Sequence, residues 1–215
     1  MSKSIPKKIA AAQSALYNAN EHPEIKARLK KYGITPEEIK KGTALLNDVV
    51  LQHHEKGDCY GEKNTLAAQL AQQTKETRQQ FRRHIDVVKL ALANQPVAFA
   101  NLNVTPLSIQ QDAWQAQATY FYLKVVDYLD VLKDYKLSAE ELAQNQANLD
   151  ALVALRNRRK QLKGNAEEAT RNRNRSLRAL RLWMKEFYGI ARVALADKPQ
   201  LLEVLGIKVK SERIS

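Results

Sequence analysis

Shifted by 103 residues, the chain aligns with itself, and that self-similarity restricts its fold more than any other feature. The stretch Tyr32 to Val50 falls on Tyr135 to Val153, with identities at Tyr32/Tyr135, Glu37/Glu140, Glu38/Glu141, Ala44/Ala147, Leu46/Leu149 and Val50/Val153. At the same offset Lys89 to Val104 falls on Arg192 to Ile207, matching Ala91/Ala194, Leu92/Leu195, Ala93/Ala196, Pro96/Pro199 and Leu102/Leu205. Two separated matches sharing one offset, with Gly61 on Gly164, imply a tandem duplication: a first helical repeat over 1–104 and a second over 105–215.

Each repeat reads as helix. The chain's 7 Gly and 6 Pro are too few for the closely spaced turns of an all-β sandwich. Thr35-Pro36-Glu37-Glu38 and Ser138-Ala139-Glu140-Glu141 each supply a capping hydroxyl followed by acids in a first helical turn. Beyond them Ile39, Leu46, Val49 and Val50 form an apolar stripe, matched by Leu142, Leu149, Leu152 and Val153. This helix is expected to stop at Gly57–Gly61 in one repeat and at Gly164 in the other. A returning helix then carries Leu66, Leu70, Phe81, Ile85, Val88 and Leu92, until Pro96 and Pro199 break it.

The expected fold is therefore all-α: internally duplicated long helical hairpins forming an elongated helix bundle, with one additional aromatic-rich central helix. That helix spans Leu107 to Tyr135 and holds Trp114, Tyr120, Phe121, Tyr122, Tyr128 and Tyr135. Being apolar on several sides, it is expected to wedge between the hairpins or to meet another copy, with Trp114, Phe121 and Tyr128 as candidate assembly residues.

Charge narrows the partners. Lys plus Arg number 35 against 23 Asp plus Glu, a net charge of +12, which favours anionic partners. Between Arg156 and Arg181 ten basic residues face only Glu167 and Glu168. Two of these arginines are out of place by helical phase: Arg156 continues the Leu149, Val153 stripe, and Arg173 stands where the first repeat has Leu70. In a hairpin turning at Gly164 they would share one level and face one seam, which must then be wet, paired with acids or holding an anion. Arg171, Arg175 and Arg178 recur at i, i+4 and i+7, a spacing able to track phosphates. The candidate polyanion-binding set is Arg156, Arg159, Arg171, Arg173, Arg175 and Arg178. Asn172 and Asn174 interleave with it, and the segment carries no aromatic residue for base stacking.

No catalytic, metal or cofactor constellation is visible. Gly-rich phosphate loops, Gly-x-Ser-x-Gly and Glu-x-x-His are all missing, and His53, His54, Cys59 and His84 do not converge in the expected hairpin. A single Cys, an N-terminal stretch too polar for a signal peptide and no long apolar run lead to the expectation of a cytoplasmic chain without a transmembrane segment. The sequence thus leads to a non-enzymatic structural or interaction protein that self-assembles into a homo-oligomer or scaffolds a protein partner. The alternative is a nucleic-acid-binding protein using the Arg-rich segment 156–181.

Overall fold

The computed structural model describes residues 4–209, and every regular element among them is helical. Helix α1 (Ile5–Glu21) stops because Pro23 can neither donate to the preceding turn nor fit beside it. His22 turns the corner and caps α2 (Pro23–Lys31), its Nδ1 accepting from the Ile25 amide at 3.4 Å. Gly33, at φ 87°, ends α2 in the left-handed region. Thr35 Oγ1 then accepts from the Glu38 amide to open α3 (Pro36–Ala91). Helix α4 (Pro96–Asn101) follows at once.

The next segment is α5 (Gln111–Val125), a 3₁₀ turn over Val126–Tyr128, α6 (Leu129–Leu132) and a second 3₁₀ turn over Lys133–Tyr135. The single helix expected over Leu107–Tyr135 is thus shorter and broken. Its interruption follows the β-branched pair Val125-Val126 and the weak helix former Asp127. Ser138 Oγ accepts from the Glu141 amide at 3.2 Å to open α7 (Ala139–Ala194), and α8 (Pro199–Val204) closes the described chain.

Helices α3 and α7 correct the hairpin expectation. Each is one uninterrupted helix of 56 residues, passing through Gly57 and Gly61 in one case and Gly164 in the other. A lone glycine weakens a helix by about 1 kcal/mol relative to alanine but does not end it, and no proline accompanies these. Each half of α3 instead shares its core with a half of α7.

The chain forms two compact units: Met1–Tyr60 with Asn165–Ser215, and Gly61–Gly164. Each contains part of α3 and part of α7. In the first unit the early turns of α3 pack against the late turns of α7, as the Trp183 ring lying over Gly42 shows. Its core joins Ile39, Leu46 and Val49 of α3 to Leu180, Met184 and Phe187 of α7, under Leu16 of α1 and Ile25 of α2. In the second unit the late turns of α3 meet the early turns of α7, with Phe81, Ile85 and Val88 packed among Trp114, Phe121, Leu142 and Leu149. No helix among the described residues is long and apolar enough to cross a membrane.

Candidate polyanion-binding face

Within the first unit, Leu180, Met184, Phe187 and Ala191 fix the rotational phase of α7 by turning into the core. The residues left facing outward on the preceding turns are Arg171, Arg175, Arg178 and Arg181, all exposed. At a rise of about 1.5 Å per residue they follow one another at intervals of roughly 4.5–6 Å along the helix. Among the described residues no carboxylate forms an ion pair with any of the four. They form a row of exposed positive charges with no ion-paired carboxylate among the described residues.

The other sequence candidates are placed differently. Arg156 lies in the second unit, half-buried, with its Nη1 donating to Asp112 Oδ1 at 2.8 Å and to Gln115 Oε1 at 2.6 Å. Its neighbour Arg158 pairs with Glu62 at 3.1 Å, while Arg159 is exposed. Arg173 lies in the first unit, half-buried, its guanidinium donating twice to Asn174 Oδ1, at 2.7 and 3.2 Å. Because α7 is continuous, Arg156 and Arg173 do not face one seam. The phase anomaly at Arg156 is met by Asp112 and Gln115 on α5, tertiary contacts invisible to helical periodicity.

The three candidate assembly residues also have definite places. Trp114 and Phe121 are fully buried in the core of the second unit, each packed against Phe81 at 6.5 and 5.4 Å between ring centres. Tyr128 is half-buried, its hydroxyl accepting from Asn101 Nδ2 at 3.4 Å. The large apolar side chains that this region does expose are Ile109, Tyr120, Leu123, Val126 and Tyr135.

Sequence reasoning missed a buried polar network in the second unit. Tyr122 Oη lies 2.8 Å from His84 Nδ1 and accepts from Asn145 Nδ2, while His84 Nε2 lies 3.2 Å from Glu141 Oε1. With Asn145 donating to the phenol oxygen, the phenol proton goes to Nδ1, and the remaining ring proton on Nε2 goes to the carboxylate. That arrangement satisfies every group with a neutral imidazole. Burial holds the His84 pKa below its ordinary value despite the opposing Glu141 charge, and pushes the Tyr122 phenol up. Glu141 also pairs with the exposed Arg83 at 3.2 Å. The network draws on three helices, so no local pattern announces it.

Among the described residues no group of three or more His, Cys, Asp or Glu is placed to hold a metal ion. No protein-family model, curated protein or solved structure matches the chain.

Proposed function

We propose that this is a non-enzymatic, cytoplasmic polyanion-binding protein that holds a nucleic-acid backbone on Arg171, Arg175, Arg178 and Arg181 of α7. The observation that supports this reading is the row of four exposed guanidinium groups on successive turns with no carboxylate partner among the described residues. Each such group that meets a phosphate releases a condensed counterion, so the attraction is additive along the row and independent of base sequence. Arginine suits the task because its planar fork matches phosphate oxygens and its charge does not titrate. Charge reversal tests it: Arg171→Glu, Arg175→Glu and Arg178→Glu together should flatten the plot of log binding constant against log salt by about 3, as read by fluorescence anisotropy with a labelled duplex. An unchanged slope refutes the assignment.

The proposal includes a tandem duplication. In its support, α3 and α7 are both 56 residues long and start 103 residues apart, as do the six-residue α4 and α8. The left-handed positions Gly33 and Lys136, and again Asn103 and Gly206, keep the same offset. On this reading each compact unit is built from halves of both repeats.

Self-assembly is the second reading, favoured by the exposed apolar row Tyr120, Leu123 and Val126 on the second unit. Light scattering on a Leu123→Lys variant checks it: a wild-type oligomer should dissociate, and a wild-type monomer ends this reading.

A further inference from the structure

A cleft of about 850 Å³ opens in the first unit between α1, the late turns of α7 and residues 206–208. Its floor is apolar, formed by Ala11, Ala12, Leu177, Leu180, Met184 and Ile207. Its rim is cationic, with Lys8, Arg178, Arg181, Arg192 and Lys208, and among the described residues no Asp or Glu lines it. Tyr188 supplies an aromatic ring at the edge, beyond the segment in which the sequence shows none. A volume of this size, with apolar walls and a few convergent charges, is that of a small-ligand site.

The second unit shows what such a space accepts. The position 103 residues after Ala11 is Trp114, which is completely buried. Its indole stacks on Phe81 at 29° between ring planes, and the Arg78 guanidinium lies 5.9 Å from its centre. Phe81 and Arg78 correspond by the same offset to Met184 and Arg181, which both line the cleft. Where the second unit places a flat ring between an apolar floor and an arginine, the first unit has the floor and the arginine, and an alanine where the ring would be attached.

We infer that this cleft seats an unstacked nucleobase, so that the arginine face binds single-stranded nucleic acid in preference to duplex. The inference rests on the polyanion reading above and names the form of nucleic acid that the face takes. The base occupies the place of the indole, with Met184 and Leu180 beneath it, Tyr188 at its edge and the Arg181 guanidinium over its face, a planar cation well suited to stacking on a base. Arg178 lies at once on the rim and in the outward row, so a strand whose phosphates follow Arg171 and Arg175 passes the mouth of the cleft. A duplex, whose bases are paired and stacked, can use the row but not the cleft.

The test titrates the full chain with an oligothymidylate of about 12 nucleotides and with the matching oligo(dA)·oligo(dT) duplex, at one low salt concentration. The wild type should bind the single strand about tenfold more tightly than the duplex, a margin in keeping with one stacked base. Ala11→Trp plugs the cleft with the side chain the second unit already uses, and should erase that margin while leaving duplex affinity unchanged. Arg181→Met, at an exposed position that leaves the core intact, should narrow the margin by a route that does not depend on how tryptophan packs. An equal affinity for both forms in the wild type, or a margin that survives both substitutions, overturns the inference and leaves the polyanion reading standing. Absence of binding to either form overturns both.

Discussion

Trp183 lies across Gly42, so closely that a Cβ at position 42 would overlap the indole ring. The ring is held on its other side by Phe187, stacked at 5.3 Å and 11°. Alanine ordinarily gains about 1 kcal/mol over glycine inside a helix, and here the forced displacement of the indole outweighs it. Gly42→Ala is expected to lower unfolding stability by about 1 kcal/mol in urea titrations. Adding Trp183→Ala should reveal strong non-additivity, because the second change removes the obstacle. A stabilised Gly42→Ala variant contradicts this packing.

Exposed glycines in mid-helix should behave in the opposite way. Gly61 and Gly164 lie within the continuous α3 and α7 with open space where a Cβ would go. Gly61→Ala and Gly164→Ala are each expected to stabilise the fold by about 0.5–1 kcal/mol. Destabilisation by either would restore the turns first expected there, since a turn that needs glycine does not tolerate alanine.

Those glycines mark what the sequence conveys and what it hides. Helix starts at Thr35 and Ser138 and ends near Pro96 and Pro199 were legible because caps and prolines act over a few residues. The apolar stripes named core residues such as Leu46, Phe81, Leu149 and Leu92 directly. Whether Gly61 turns the chain or merely interrupts a surface depends on what packs beside it, and no local signal carries that. The outward set Arg171, Arg175 and Arg178 followed from helical spacing. The pairing of Arg156 with Asp112, and the gathering of Lys8 and Lys208 at one cleft, join residues distant in sequence and escaped it.

Stability should fall in mild acid because of His84. Its folded pKa lies below the ordinary 6.5, so the unfolded chain binds the extra proton more readily. The neutral imidazole's contribution is fully present above about pH 6.5 and is lost as the pH falls through that value toward the lower folded one. Glu141 and Arg83 are the charged groups beside it, and Tyr122 is the titratable neighbour on α5. Urea midpoints should be lower at about pH 5 than at about pH 7.5, and His84→Gln should flatten that dependence. An equally steep fall in the variant assigns the effect to other groups.

Arg156 is expected to serve structure rather than binding. Arg156→Ala leaves Gln115, nearly buried, without the partner of its Oε1, at a cost of about 1–2 kcal/mol in unfolding stability. The salt dependence of polynucleotide binding should not change. A flattened salt slope in this variant would move the binding surface to the second unit.

The most direct measurement for the account is the salt dependence of wild-type binding, followed by titration calorimetry with an oligonucleotide over a series of sodium chloride concentrations. On a duplex, which uses the row and not the cleft, four phosphate contacts from Arg171, Arg175, Arg178 and Arg181 should give a plot of log binding constant against log salt with a slope of roughly −3 to −4. No binding at low salt, or a slope near zero, contradicts the central claim and returns the arginine row to an ordinary solvated helix face.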